Sequence, residues 1–180
     1  MHTELTEFGA NCQKCNTRAA PMNHTSFDAF IAYAKKTPPK GPVAMVFVED
    51  EVEIGTTLRH NLQCGFNSVL ALMPDEFELP EDLVDLVHRI TFDCGPPDAV
   101  THAVNRFIPI VPGTWLYYCY NAEYLFYPFC ESRSVGEMLS FHTEERRDAM
   151  LTYVIDLYAE DLGRCPNAVS LDHAYLDKSG

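Results

Sequence analysis

Short apolar runs alternating with helical periodicities set the pattern of this chain. Val43 to Val48, VAMVFV, is a nearly unbroken apolar run, the mark of a strand buried on both faces as in a parallel sheet. From Glu51 onward Ile54, Leu58 and Leu62 recur at helical spacing, and Gly65 stands where a left-handed helix stop is expected. A second apolar run, SVLALM, ends at Pro74. The segment PEDLVDLVHRI offers Leu83, Leu86, Val87 and Ile90 at helical intervals, with Pro80, Glu81 and Asp82 suited to a first turn. A helix is therefore expected there, followed by a short third strand over TFD. Residues 99–108 again read as a helix, stopped by Pro109 or Pro112, before Gly113 turns the chain into WLYYCYNAEYLFYP, from Trp115 to Pro128. This alternation, β-α-β-α-β-α-β, favours a parallel sheet with helices on its faces and a ligand site beyond the carboxyl ends of the strands.

The flanks read differently. Residues 1–40 form a polar arm and a helix-like stretch, SFDAFIAYAKK, that stops at TPPKGP; the main domain is expected over residues 41–180. After Pro128 the pattern turns helical. SVGE from Ser134 resembles a capping box, and Thr143 is expected to cap a long helix with Met150, Val154, Leu157 and Tyr158 as its inward stripe. The closing LDHAYLDKSG carries no stop signal and suits a chain that continues past Gly180.

Composition adjusts this picture in a few places. A length of 180 residues suffices for one domain, and 47% hydrophobic against 22% charged residues is the balance of an ordinary globular protein. The formal charge of −13 argues against nucleic acid as a partner, because affinity for a phosphate backbone comes from many lysines and arginines. A nucleotide is still compatible, since one diphosphate can be held by a metal, a helix N-terminus or two arginines. No apolar run approaches the ~20 residues of a membrane span, and the N-terminus lacks the pattern of a secretion signal, so a cytoplasmic protein with no integral membrane segment is expected. Seven cysteines, an odd and scattered set, suit reduced core thiols better than a disulfide framework. Cys12 and Cys15, spaced CxxC, have the form of half a zinc site or a redox pair. His2, His24 or a distant cysteine would have to complete a zinc site, and two thiols without function are the preferred reading. His60, His88 and His102 fall on expected helices and read as surface or satisfied residues.

The most informative stretch is AVNRFIPIVPGTWLYYCYNAEY. Its Ala103, Asn105, Gly113 and Trp115, with an aromatic strand ending in a polar triplet, resemble the Ala-x-Asn helix, following glycine and aromatic strand of family 2 glycosyltransferases, which have the GT-A fold. Upstream, FVEDEVEIGTTLRHNLQCGFNSVLAL is similar to that family's first strand, acidic turn, Leu-Arg-His helix and second strand. The likeness covers residues 43–128. It implies an α/β, GT-A-like (Rossmann-like), mostly parallel sheet with flanking helices and a helical C-terminal part, acting on a nucleotide-sugar donor. It also implies donor contacts at Glu49, Asp50, Glu51, Asp75, Asn105 and Asn121.

In that register the family's Asp-x-Asp positions fall on Tyr120 and Ala122, which supply no metal ligands. Glu123 is the one carboxylate left in the break, a poor lone ligand for Mg²⁺ or Mn²⁺. An inverting transfer needs a carboxylate to take the acceptor's proton and a group to neutralise the leaving diphosphate. FHTEERRD offers Glu144 or Glu145 as the base, His142 as a metal or phosphate contact, and Arg146 and Arg147 as diphosphate ligands. The plainer account of that stretch is a capped helix with a surface pair between Glu144 and Arg147. The reading adopted is a glycosyltransferase passing sugar to an unknown acceptor; the alternative is a non-catalytic protein that binds a sugar nucleotide or glycan on the same fold, and a purely structural remnant of that fold is the third. No GxGxxG, P-loop or GxSxG segment points elsewhere. The aromatic residues from Trp115 to Tyr127 offer stacking surface for a sugar ring, with core packing as their default role.

Overall fold

A computed structural model of the chain describes residues 23–176. Its centre is a five-stranded sheet in the order β1-β4-β3-β2-β5, with every neighbouring pair parallel. The strands are β1 (Asn23–His24), β2 (Val43–Phe47), β3 (Ser68–Met73), β4 (His88–Thr91) and β5 (Leu116–Tyr120). Helix α1 (Phe27–Ala34) precedes β2, α2 (Ile54–Cys64) links β2 to β3, and α3 (Ala99–Phe107) links β4 to β5. The architecture is a Rossmann-like α/β layer.

The pleat explains why VAMVFV and SVLALM are apolar throughout. Ala44, Val46, Val69, Ala71 and Met73 face one core with Ile54 and Leu58 of α2, while Val43, Met45, Phe47, Leu70 and Leu72 face the other with α1 and α3. Both faces are covered, so no strand position can be polar without cost. Helix α1 contributes Phe27, Phe30, Ile31 and Ala34 to the second core and thus packs directly on the sheet. Helix α2 ends at Gly65, whose φ of 93° supplies the left-handed stop.

Two expectations need correction. The segment 80–90 is not a helix: only Glu81–Leu83 makes a 3-10 turn, and the chain then enters β4. His88 and Ile90 are buried while Arg89 and Thr91 are half-buried on the opposite side, a period of two that outweighs a helical spacing too short to arbitrate. The strand expected over TFD thus begins earlier, at His88, and ends on Thr91, the first residue of that segment, so His88 sits on a strand.

The C-terminal part is not the expected long helix. Helix α4 (Val135–Glu144) is capped by Ser134, whose hydroxyl accepts from the Glu137 amide while the Glu137 carboxylate accepts from the Ser134 amide. Thr143 lies inside this helix, and the chain leaves it through Arg146 at φ 56°. Beyond it residues 150–156 are irregular, and β6 (Leu157–Ala159) and β7 (Ala174–Leu176) form a small antiparallel pair. Thr152, Tyr153, Val154 and Ile155 favour extended backbone over helix, and among the described residues no facing element covers the intended stripe: Val154 and Leu157 are exposed.

Among the described residues, no helix is long and apolar enough to cross a membrane.

Candidate functional site

In an open parallel sheet the strand order reverses where successive crossovers pass to opposite faces, and a crevice opens there beyond the carboxyl ends. Here that point lies between β2 and β5, since α2 leaves β2 on one face and α3 reaches β5 on the other. The residues following these strands are Glu49, Asp50 and Glu51 on one side and Asn121, Ala122 and Glu123 on the other. The topology brings together two groups that the sequence had linked only through resemblance.

Asn121 occupies the crevice itself. Its backbone amide donates to Phe47 O at 3.0 Å, extending the β2–β5 ladder, and its side-chain oxygen accepts from the Glu49 amide at 2.9 Å. Its Nδ2 donates to Asp50 Oδ1 at 2.6 Å and to Val52 O at 2.9 Å. Both ends of this amide are committed to the β2–α2 loop, and Asp50 is further used to accept from the Val52 amide. Next to it Ala122 takes a left-handed φ of 60°, with its amide donating to Thr57 Oγ1 at 2.9 Å. Glu123 folds back so that its Oε2 accepts from the Tyr120 amide at 2.7 Å. The polar break after Tyr120 is thus a clasp that locks the end of β5 onto the loop before α2. Glu123 spends a carboxylate oxygen on backbone, and among the described residues no cluster of three or more histidines, cysteines or acids is placed to hold a metal ion.

The loop before α2 is stitched further. Glu53 has a left-handed φ of 53°, and its carbonyl accepts from the hydroxyls of both Thr56 and Thr57. Thr56 Oγ1 also donates to Glu53 Oε2 at 2.6 Å and lies 2.8 Å from the Tyr124 hydroxyl. Beside this loop an open depression of about 550 Å³ is lined by Glu51, Glu53, Gly55, Arg59, Glu76 and Glu78 among others. Its one guanidinium, Arg59, is tied by two hydrogen bonds of 2.8 and 2.7 Å to Asp82, which raises the arginine's pKa and lowers that of the aspartate. Four glutamates surround a cation that already has a partner, so the depression favours hydroxyl and N–H donors over a diphosphate.

The other expected residues lie apart. Asp75 follows β3 and contacts Arg89 at 3.6 Å. Arg89 went unnoticed in the sequence because β4 reads as helix there; from its strand it donates to the carbonyls of Pro74, Asp75 and Phe77 and so shapes the loop after β3. Asn105 is exposed on α3. His142, Glu144, Glu145, Arg146 and Arg147 are at the far end of α4, and all but the half-buried His142 are exposed. Thr143 beside them accepts from the Trp115 indole N–H at 2.9 Å, which anchors this end of the helix near the start of β5. Asn121 follows the opposite end of that strand, five residues or about 17 Å away at ordinary strand rise. The proposed base and diphosphate ligands are therefore not gathered with the acidic turn. Arg147 meets His142 Nδ1 at 3.1 Å and lies over the Phe141 ring, and the described residues include no Glu144–Arg147 ion pair.

Three thiols are held in their protonated form. Burial pushes Cys64 up to about 11 and both Cys94 and Cys119 up to about 12, so they stay protonated and pack as small apolar groups. The aromatic stretch is divided in the same spirit: Tyr117 stacks on Phe66 with centroids 5.6 Å apart, whereas Tyr118 is exposed. Cys12 and Cys15 lie outside the described residues. Comparison of the chain with protein-family models, curated proteins and solved structures gives no match.

Proposed function

We propose that this chain is a non-catalytic, glycan-binding protein on a GT-A-like scaffold, taking a hydroxyl-rich saccharide in the acidic depression beside α2. The single observation that carries this reading is the clasp at Asn121. The crevice where a sugar nucleotide would seat its pyrophosphate is filled by an amide whose hydrogen bonds all go to the protein. Glu123, the remaining carboxylate of the break, is bound to the Tyr120 amide, which leaves the metal role of an Asp-x-Asp pair without a successor. Carboxylates are acceptors only and suit sugar hydroxyls, which is the chemistry that Glu51, Glu53, Glu76 and Glu78 offer.

Calorimetric titration tests the proposal. Neutral oligosaccharides and UDP-, GDP- and CMP-sugars are titrated with and without Mn²⁺, and donor hydrolysis is followed in parallel. Saccharide binding that weakens at least tenfold in a Glu76→Gln, Glu78→Gln double variant, with no donor turnover, is the expected result. Mn²⁺-dependent donor binding or any donor hydrolysis would overturn it in favour of an active glycosyltransferase with a remodelled site.

A further inference from the structure

The clasp and the depression leave the C-terminal stretch LTYVIDLY, residues 151–158, without a role. Leu151, Tyr153, Val154, Ile155 and Leu157 are each 62–82% exposed, and Tyr158 is exposed beside them. Large side chains present on the order of 150–200 Å² apiece, so this row offers roughly 700 Å² of mostly apolar surface, above the about 300–600 Å² of the largest patch on a typical monomer. Surface of that size marks a contact with another molecule.

The spacing says what kind of contact. In extended backbone, residues two apart share a face, so Leu151, Tyr153, Ile155 and Leu157 make one wholly apolar face, while Thr152, Val154, Asp156 and Tyr158 make the other. Leu176 of β7 lies opposite Leu157 and widens the apolar face. The stretch runs directly into β6, and among the described residues β6 has β7 as its one neighbouring strand. On the far edge the Ala159 amide donates to Ala168 O at 2.9 Å, and the edge before it is open. Two strands standing alone are marginal in water; a third or fourth strand is needed before an apolar face becomes stable.

A second copy of the chain supplies those strands. Residues 1–22 hold Met1, Leu5, Phe8 and Met22 as their large apolar side chains, a poor match for this row. The row matches itself. About a twofold axis at Val154 the two copies run antiparallel, with Leu151 opposite Leu157 and Tyr153 opposite Ile155, so apolar face continues into apolar face. Asp156 then stands opposite the hydroxyl of Thr152, whereas parallel in-register pairing would set Asp156 beside Asp156 and add like-charge repulsion.

We propose that this chain forms a symmetric dimer through residues 151–157, whose paired strands join two β6–β7 units into one four-stranded sheet. A standard interface takes about 800 Å² from each partner, which this row and Leu176 come close to supplying. The contact is isologous and therefore closes at two copies. It is independent of the glycan reading and stands or falls without it.

Sedimentation velocity of the full chain over a concentration series tests the dimer, at physiological salt so that repulsion between two copies of charge −13 is screened beyond about 8 Å. A reversible monomer–dimer equilibrium is expected. Val154→Lys places two ammonium groups side by side on the axis and is expected to weaken association at least tenfold. Val154 is exposed, so the variant keeps its circular dichroism and, at a dilution that separates the copies, the urea stability of the five-stranded core. Filtered NMR on a mixture of labelled and unlabelled chains is expected to show Tyr153 ring protons of one copy against Ile155 methyls of the other. A chain that stays monomeric at high concentration, or a dimer that Val154→Lys leaves intact, would overturn the proposal. Slow amide exchange over residues 151–157 in the monomer would overturn it too, since the chain's own residues would then cover the row.

Discussion

Apolar stretches of this chain end in opposite states. VAMVFV and SVLALM bury every side chain, whereas LTYVIDLY, residues 151–158, exposes every one. The difference lies in what surrounds them. β2 has a strand on each side and helices over both faces, while among the described residues LTYVIDLY has only the short pairing of Leu157 and Tyr158 with β7. Apolar composition makes a core only where partners close on it from all sides. The largest expected effect is therefore Phe47→Ala, which empties a fully buried site and costs about 3–5 kcal/mol in urea denaturation. Tyr153→Ala and Val154→Ala are expected to change stability by no more than about 0.5 kcal/mol. Comparable losses from both stretches would break the contrast.

The second test sharpens it from the inside. Burial and the neighbouring His24 push His88 down from 6.5 to about 4, and burial lowers His24 as well. Because the folded value lies below the unfolded one, stability is complete above pH 6.5 and drains away as the pH falls from 6.5 towards 4. For His88 alone the loss is about 3 kcal/mol. Stability measured at stepped pH is expected to fall across that window in the parent chain, and His88→Phe to flatten the slope. A slope unchanged in the variant would show that the acid response belongs to other groups.

A third and smaller effect concerns the clasp. Asn121→Ala removes three short hydrogen bonds at the junction of β2 and β5, and leaves the Glu49 amide and Val52 carbonyl to water. The expected loss is about 1–3 kcal/mol, together with faster amide exchange at Glu49. Exchange unaltered at Glu49 would mean that the loop holds itself.

How legible was all this? The strands β2, β3 and β5 and the helices α1, α2 and α3 were readable because apolar runs, helical spacing, prolines and Gly65 agree with one another. Segment 80–90 was not, since Leu83, Leu86, Val87 and Ile90 satisfy a helical period by accident of a turn followed by a strand. The stripe from Met150 to Tyr158 misled for another reason: a period marks a face but not whether anything covers it. Of the site, the sequence located the acidic turn and the polar break correctly at the strand ends, as Glu49, Asp50 and Asn121 confirm. It could not show that Asn121 is turned inward on its own loop, nor that His142 to Arg147 sit by the start of β5. Both depend on side-chain direction and on where α4 docks, which no local pattern encodes.

Helix α4 is where the covered region gives way to the exposed one, and its cap supplies the smallest and most local test. Val135 and Leu139 are buried against the sheet, while Phe141 near its far end is exposed. The buried end is also the capped end: Ser134 and Glu137 satisfy each other's amides, and those hydrogen bonds pull the Glu137 pKa down from 4.5. Ser134→Ala leaves the first-turn amides without this acceptor and is expected to cost about 1 kcal/mol. The Glu137 half of the box responds to acid in the same direction as the histidines but at lower pH, because its stabilisation is complete above pH 4.5 and is lost as the carboxylate protonates below it. Ser134→Ala should therefore cost less at pH 3 than at pH 7, and an equal cost at both would mean that Glu137 takes no part in holding the helix start. If the cap truly anchors α4, exchange protection in the variant should fall first at Glu137 and Met138, leaving β5 protected.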